Sequence, residues 1–366
     1  MKVILNQLEE KNRVLRLTGT DYEQGFQHGV LTAGLIKKNL TDMKKWVHDL
    51  YGGKEEVIRQ YYADALNFLR TRRPEVLDEL KGISEGARIP FQDILFLNVQ
   101  IYFTLKWVAP ECSQFCSILK EETGWKTYTG KNRDNSAGPR ETVVLCREYP
   151  YGLKMIEVGF AGIVTGPGNV LTSRGISITS SGVWSERLPV NPEDFKNGEA
   201  LPDTHRLAKN ISSIEEAESY LKELHRASGI NYIVARTGEA KLFSLSARDV
   251  KVRETGKNIC ATNHYPFEEW SDLSQRENEY PSTHYRYRRI LRLMEEAHSE
   301  KDFWSILSDH KEFPQNSICR HRQHGTGATT TYGALSFIED EIMYVAFGNP
   351  CQIPASQIHD GIILEF

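Results

Sequence analysis

The chain has 366 residues and a formal net charge of −4, with 40% apolar and 26% charged residues. That size can bury a large core in one domain or two, and the near-balanced charge gives no reason to expect a nucleic-acid partner. No apolar run approaches the ~20 residues that span a bilayer, and the opening MKVILNQLEEKN holds only a short apolar patch, too short for a signal-peptide core. Six cysteines in a chain this long do not form a disulfide scaffold. Cys112 and Cys116 stand close together, but no second Cys/His pair has zinc-finger spacing. The expectation is a cytoplasmic protein with reduced thiols, no metal and no cofactor.

The first hundred residues read as helical. Thr20 and Asp21 can cap a helix bearing Tyr22, Phe26, Val30, Leu35 and Ile36. A second helix fits residues 55–71, with Val57, Tyr61, Ala65 and Phe68 near helical period. A third starts at Pro74, a favourable first-turn residue, and carries Val76, Leu77, Leu80 and Ile83. A fourth apolar segment, residues 91–105, follows Pro90.

Beyond residue 110 short β-rich runs take over, at 142–146, 155–164, 175–179, 231–235, 241–245, 329–337 and 342–347. Two helices interrupt them, one capped by Ser213 over 214–224 and one opened by Ser282 and running to about Ala297. A helical front followed by many strands and late helices predicts an α+β fold with sheets covered by helices.

The chemistry concentrates between residues 112 and 134. Cys112-Ser113 opens a β-like segment, a turn falls around Glu121, Glu122, Thr123 and Gly124, and the return ends in Gly130-Lys131-Asn132-Arg133-Asp134. Such a hairpin sets a cysteine beside a cation, an amide and a carboxylate, the parts of an activated nucleophile. Small buried cysteines are common in cores, but a dense polar group ending an apolar strand needs partners, and an active site supplies them.

The cysteine followed by Ser, the hairpin, and Gly-Lys-Asn-x-Asp resemble the N-terminal-nucleophile (Ntn) hydrolases. More narrowly, the chain resembles the penicillin acyl-CoA acyltransferase branch (peptidase family C45), akin to choloylglycine hydrolases. Residues 22–29, YEQGFQHG, are similar to its opening pattern, and 80–87, LKGISEGA, followed by Asp93-Ile94-Leu95 and Leu97-Asn98, to its second. Thr262-Asn263-His264, Ser282 with Arg286 and Arg289, and Gly348-Asn349-Pro350-Cys351 resemble three further segments. Each is weak alone; together, in order, they are specific.

The resemblance implies a four-layer αββα sandwich with an N-terminal helical segment. It implies that residues 1–111 form a leader packed on a catalytic core of 112–366, and that the chain cuts itself before the nucleophile. A freed α-amine, with a pKa near 8, then serves as base for its own thiol, and an acyl-enzyme forms on an amide or thioester substrate. An amine can act as acceptor in place of water. By the same resemblance Lys131 favours thiolate, Asp134 orients the nascent amine, the Asn263 amide NH2 donates to the oxyanion, and Arg286 braces the site or binds a carboxylate. Thr179, Ser180 and Ser181 occupy the segment where relatives often carry a second oxyanion Asn. Glu111 stands where Gly is common before the cut.

Two cysteines compete for the nucleophile. The spacing from Cys116 to Asp134 matches that expected of the acyltransferase branch, whereas a turn centred on 121–124 sets Cys112 across from Arg133 and favours Cys112. His28 and His264 read as packing or capping residues, and Arg288, Arg289 and Arg292 as a wet helix face. Cys319, Arg320, His321, Arg322 and His324 read as a solvated loop without zinc-motif spacing, and Gly166-Pro167-Gly168 as a turn. Rival readings are an uncleaved thiol hydrolase pairing Cys112 or Cys116 with His264 or His321, and a degenerate binding protein that no longer cleaves itself.

Overall fold

The computed structural model describes residues 1–6, 8–51, 55–104, 111–135, 141–164, 168–183, 204–224, 226, 229–322 and 327–366. Gly166, Pro167, Leu105 and His324 lie outside the described residues, as do the side chains of Val57 and Tyr61.

Two strands and four helices come first: β1 (Lys2–Leu5), β2 (Val14–Thr18), α1 (Asp21–Tyr51), α2 (Glu55–Arg72), α3 (Pro74–Ala87) and α4 (Phe91–Thr104). Six strands follow: β3 (Glu111–Glu121), β4 (Gly124–Asn135), β5 (Thr142–Glu148), β6 (Lys154–Phe160), β7 (Asn169–Thr172) and β8 (Ser177–Val183). After α5 (Thr204–Asn210) and α6 (Ile214–Glu223) come β9 (Gly229–Arg236), β10 (Glu239–Leu245), β11 (Val250–Thr255) and β12 (Asn258–Ala261). The chain ends with α7 (Pro281–Glu296), α8 (Glu300–Leu307), β13 (Thr329–Phe337), β14 (Ile342–Phe347) and β15 (Ile362–Glu365).

These strands form two sheets, ordered β12-β3-β4-β13-β14-β1-β15 and β11-β10-β9-β8-β7-β6-β5-β2. Side-chain alternation assigns the layers. On β3, Gln114 bonds to Ser181 of the other sheet, while Ser113 on the opposite face meets Arg286 of α7. The outer face of the first sheet, through Phe115, Tyr128 and Leu335, buries Ile290 of α7 and Phe303 and Trp304 of α8. The outer face of the second, through Val170, Ile178, Tyr232 and Phe243, buries Leu207 of α5 and Ala217 and Leu221 of α6. The result is helix, sheet, sheet, helix, the expected α+β sandwich.

The first segment is more than a helical layer. β1 inserts between β14 and β15, and β2 adds to β5 as a parallel edge. α1 begins with the capping box Thr20-x-x-Glu23: the Glu23 amide donates to Thr20 Oγ1 at 3.3 Å and the Thr20 amide to Glu23 Oε2 at 2.8 Å. α1 and α3 touch backbone to backbone. A Cβ on Gly25 would stand 2.2 Å from the Glu79 carbonyl oxygen, and one on Gly86 2.1 Å from that of Phe26. The glycines of the two opening signatures are thus packing residues.

Two other signature residues hold the loop that leads toward β7. His28 Nε2 accepts from the Gly162 amide at 3.0 Å, so that nitrogen is unprotonated; burial, with Arg147 nearby, pushes the ring down to about 3. Asn98 donates to the Gly162 carbonyl at 2.8 Å and accepts from the Val164 amide at 2.9 Å. His28 is thus the packing residue expected from the sequence, and Asn98 has the same structural part. Ser213 caps α6, accepting from the Glu216 amide, but Ser282 lies inside α7, after Pro281, and instead donates to the Gln315 carbonyl at 3.0 Å.

Candidate active site

The hairpin register centres on Glu121 opposite Gly124 and sets Cys112 opposite Arg133 and Glu111 opposite Asp134. Strand alternation then divides the polar group between two faces. Cys112, Lys131 and Arg133 project into the sandwich; Ser113, Asn132 and Asp134 project toward α7 and α8.

On the inner face the thiol has two cations. Arg133 Nη1 donates to Cys112 Sγ at 3.9 Å, and the Lys131 ammonium lies close enough to feel the sulfur electrostatically. Lys131 is fully buried and its ammonium donates to the Ser180 carbonyl. Burial pushes Lys131 below the usual lysine value, opposed by the Cys112 sulfur. Gly168 makes room for this arrangement: a Cβ there would stand 2.4 Å from Lys131 Cε and 2.5 Å from the Tyr332 hydroxyl. Arg133 occupies an unassigned position of the Gly-Lys-Asn-x-Asp pattern, yet alternation from Lys131 was the signal that could have found it.

The backbone of Cys112 is held from the other side. Its amide donates to Asn263 Oδ1 at 3.0 Å, and Arg286 Nη2 donates to the same oxygen at 2.9 Å. Two donors on one atom fix the amide orientation of Asn263. Its Nδ2 donates to the Gly182 carbonyl at 2.9 Å, rather than facing a position open to an oxyanion. Arg286, fully buried on α7, donates through Nη1 to the Cys112 carbonyl and to Ser113 Oγ at 3.0 Å.

Asp134 stands on the α7 side, not beside the thiol. Thr330 Oγ1 donates to its Oδ1 at 2.7 Å, while Oδ2 is buried without a hydrogen-bond partner. Burial raises its carboxyl to about 6, against the pull of Arg320 and Arg286. Next to it, Glu111 accepts from the Tyr280 hydroxyl and forms an ion pair with Arg320 at 2.9 Å. Arg320 is 6% exposed, so the reading of this stretch as solvated loop is corrected: two carboxylates draw the guanidinium inward. Tyr280, Thr330 and Arg320 carry no local motif and were missed.

Thr179 and Ser181 are occupied with Gln114: Thr179 Oγ1 donates to its Oε1 at 2.6 Å, and its Nε2 donates to Ser181 Oγ at 2.8 Å. Cys116 is fully buried in the apolar core, and burial drives its thiol far above the normal range. His264 bonds Thr283 at 3.0 Å, and burial depresses it to about 3; His321 lies with Cys351. Neither histidine is the thiol's partner. A cavity of about 220 Å3 lies between α1, α3 and α5, lined by Arg73, Glu79, Val164 and His205 among others, and none of the five predicted site residues lines it.

The site is thus a thiol near the start of an internal strand of an αββα sandwich, facing two cations, with its backbone held by a buried amide–arginine pair. A model of the acyl-coenzyme A:6-aminopenicillanic acid acyl-transferase family matches residues 204–352, which include Asn263 and Arg286. The acyl-coenzyme A:6-aminopenicillanic-acid-acyltransferase 40 kDa form of Emericella nidulans is 23% identical over 334 residues, covering 87% of each chain. Penicillin V acylase from Agrobacterium tumefaciens superposes with a TM-score of 0.43 at 12% identity, over 64% of this chain and 83% of its own. These matches bear out the resemblance, drawn from the sequence, to enzymes of the acyltransferase and acylase type. No helix among the described residues is long and apolar enough to cross a membrane.

Proposed function

We propose that the chain is a self-processing cysteine amidohydrolase or acyltransferase that works through an acyl-enzyme on Cys112. One observation carries the reading. The amide nitrogen that would become the new α-amine is bonded to Asn263, while the thiol of the same residue meets Arg133 and lies in the field of Lys131. The Arg286 guanidinium on the Cys112 carbonyl holds the residue still.

In the proposed cleavage, Cys112 sulfur adds to the Glu111 carbonyl carbon. The Glu111–Cys112 C–N bond breaks, its nitrogen takes a proton, and a thioester joins Glu111 to the sulfur. Water then breaks the C–S bond, leaving a carboxylate on residue 111 and a free amine and thiol on Cys112. That amine, titrating near pH 8, takes the thiol proton in turnover. Attack on an amide or thioester expels amine or thiol, and water or an acceptor amine releases the acyl group.

In this scheme Asn263 first aligns the precursor. It serves an oxyanion only after exchanging its bond to Gly182. Asp134, with one oxygen unbonded, receives the new amine once residue 111 is displaced. The relatives' names point to acyl-coenzyme A thioesters and small N-acyl amides as substrates to test. Intact mass and N-terminal sequencing of purified protein test the reading: fragments 1–111 and 112–366 support it, and a chain that stays whole at neutral pH overturns self-processing. Screening CoA thioesters and N-acyl amides with mass detection then assigns the acyl group.

A further inference from the structure

Four side chains, none of them a described partner of the thiol, converge where β14 ends. His310 follows α8, Cys319 and His321 lie in the segment before β13, and Cys351 sits in the turn after β14. Their ligand atoms all lie within 4.8 Å of one another. The two histidines meet through Nε2 atoms 3.0 Å apart. His321 Nε2 is 3.7 Å from Cys319 Sγ and 3.3 Å from Cys351 Sγ. Both thiols are free.

We propose that His310, Cys319, His321 and Cys351 form a tetrahedral zinc site. With Zn–N near 2.05 Å and Zn–S near 2.3 Å, the edges of a tetrahedron are about 3.3 Å for N–N and about 3.6 Å for N–S. The three separations match those edges within about 0.3 Å. Hydrogen bonding accounts for the cluster less well: one proton can lie between two facing Nε2 atoms, whereas one cation occupies all four donors at once. Two thiolates with two imidazoles is the donor set that selects zinc.

A supporting contact is present too. Asn349 Nδ2 donates toward Cys319 Sγ at 3.5 Å, the kind of N–H···S bond that steadies a metal thiolate. The other group of potential ligands among the described residues, Asp21, Glu79 and His205, is taken by protein partners: Lys209, Arg147 and Glu157 respectively. Binding is a proton exchange: zinc displaces one proton from each of two thiols and adds to two neutral imidazoles. The site would pin three separate chain segments together, and Arg320, which reaches Glu111, lies between two of its ligands. This inference does not depend on self-cleavage.

The test uses the full-length chain, without a histidine tag, grown with zinc and desalted without chelator. We expect about one zinc per chain by elemental analysis, and native mass higher by one zinc less two protons. Cobalt-loaded protein should show the absorption of a tetrahedral thiolate site. Cys319→Ser and Cys351→Ser should each retain under about one-tenth of the zinc, while His298→Gln, an exposed histidine outside the cluster, should retain all of it. Should the cysteine variants not fold, His310→Ala, at the exposed corner, should release zinc to a chromogenic chelator at least about tenfold faster than the parent. Absence of zinc in the parent, equal zinc in the cysteine variants, unchanged release from His310→Ala, or a Cys319–Cys351 disulfide in a non-reducing peptide map would overturn the proposal.

Discussion

The amide of Cys112 donates to the side-chain oxygen of Asn263, 151 residues along the chain, at 3.0 Å. Arg286 shares that oxygen and also holds the Cys112 carbonyl. Both backbone groups of the proposed nucleophile are therefore committed before any chemistry, and its thiol is left to Lys131 and Arg133.

Cys112→Ala should abolish both self-cleavage and turnover, because no other residue joins a thiol to the new amine. Cys116→Ala removes only a small apolar side chain from a core site, so both activities should persist within a few fold at a stability cost of about 1–2 kcal/mol. N-terminal sequencing of the larger fragment checks the assignment: a start at residue 116 would transfer the role to Cys116.

Arg286→Lys should slow cleavage more than about tenfold, since one ammonium cannot reproduce a fork that bonds the Cys112 carbonyl, Ser113 and Asn263 together. Arg288→Ala should leave the rate within about twofold, as Arg288 is exposed and paired to Glu277. Time courses of intact mass after refolding compare the two.

Asp134 predicts an unusual pH dependence of stability. Its carboxyl titrates near 6 when folded, because it is buried, against an ordinary 3.8. In that interval the folded chain binds more protons than the unfolded one, so this group's contribution falls as pH rises from about 4 to 6, by about 3 kcal/mol. His28 and His264, both depressed to about 3, act in the opposite direction. The comparison must therefore be a difference. In an uncleavable Cys112→Ala background, Asp134→Asn should gain stability relative to its parent between pH 4.5 and 6.5, read by denaturant melts. A constant difference across that range would show that Asp134 does not titrate there.

The proposed fragments should remain together after the cut. β1 is hydrogen-bonded on both sides within the first sheet and β2 extends the second, while Phe68, Leu77 and Leu97 are buried in the shared core. At ~25 cal/mol per Å2 of apolar surface, exposing these faces is prohibitive. Gel filtration of cleaved protein should give one peak containing both pieces, and soluble, folded 112–366 eluting alone would contradict this.

Much of this site was legible because a hairpin is local. A turn at 121–124 and two-residue alternation suffice to set Cys112 across from Arg133. The amide of Asn263 was legible as a site residue but not in its orientation, which two remote donors decide. Arg320 and the cluster around Cys319 were misread because their partners, Glu111 and Cys351, are far away in sequence, and polarity alone suggested solvent. β1 and β2 were missed for a related reason. Four or five residues show too little periodicity to identify a strand, and what makes them strands is a partner such as Ile342 or Val144 elsewhere in the chain.

The ladder around β1 carries one more consequence. Among the described strands, β15 joins the first sheet through β1 alone. Once residues 111 and 112 part, each product holds a strand the other needs, and what was a first-order folding problem becomes second-order. The precursor would assemble at any dilution, whereas the denatured mature enzyme would regain its structure at a rate set by protein concentration. The cut would then act as a ratchet, leaving a protein easier to make than to remake.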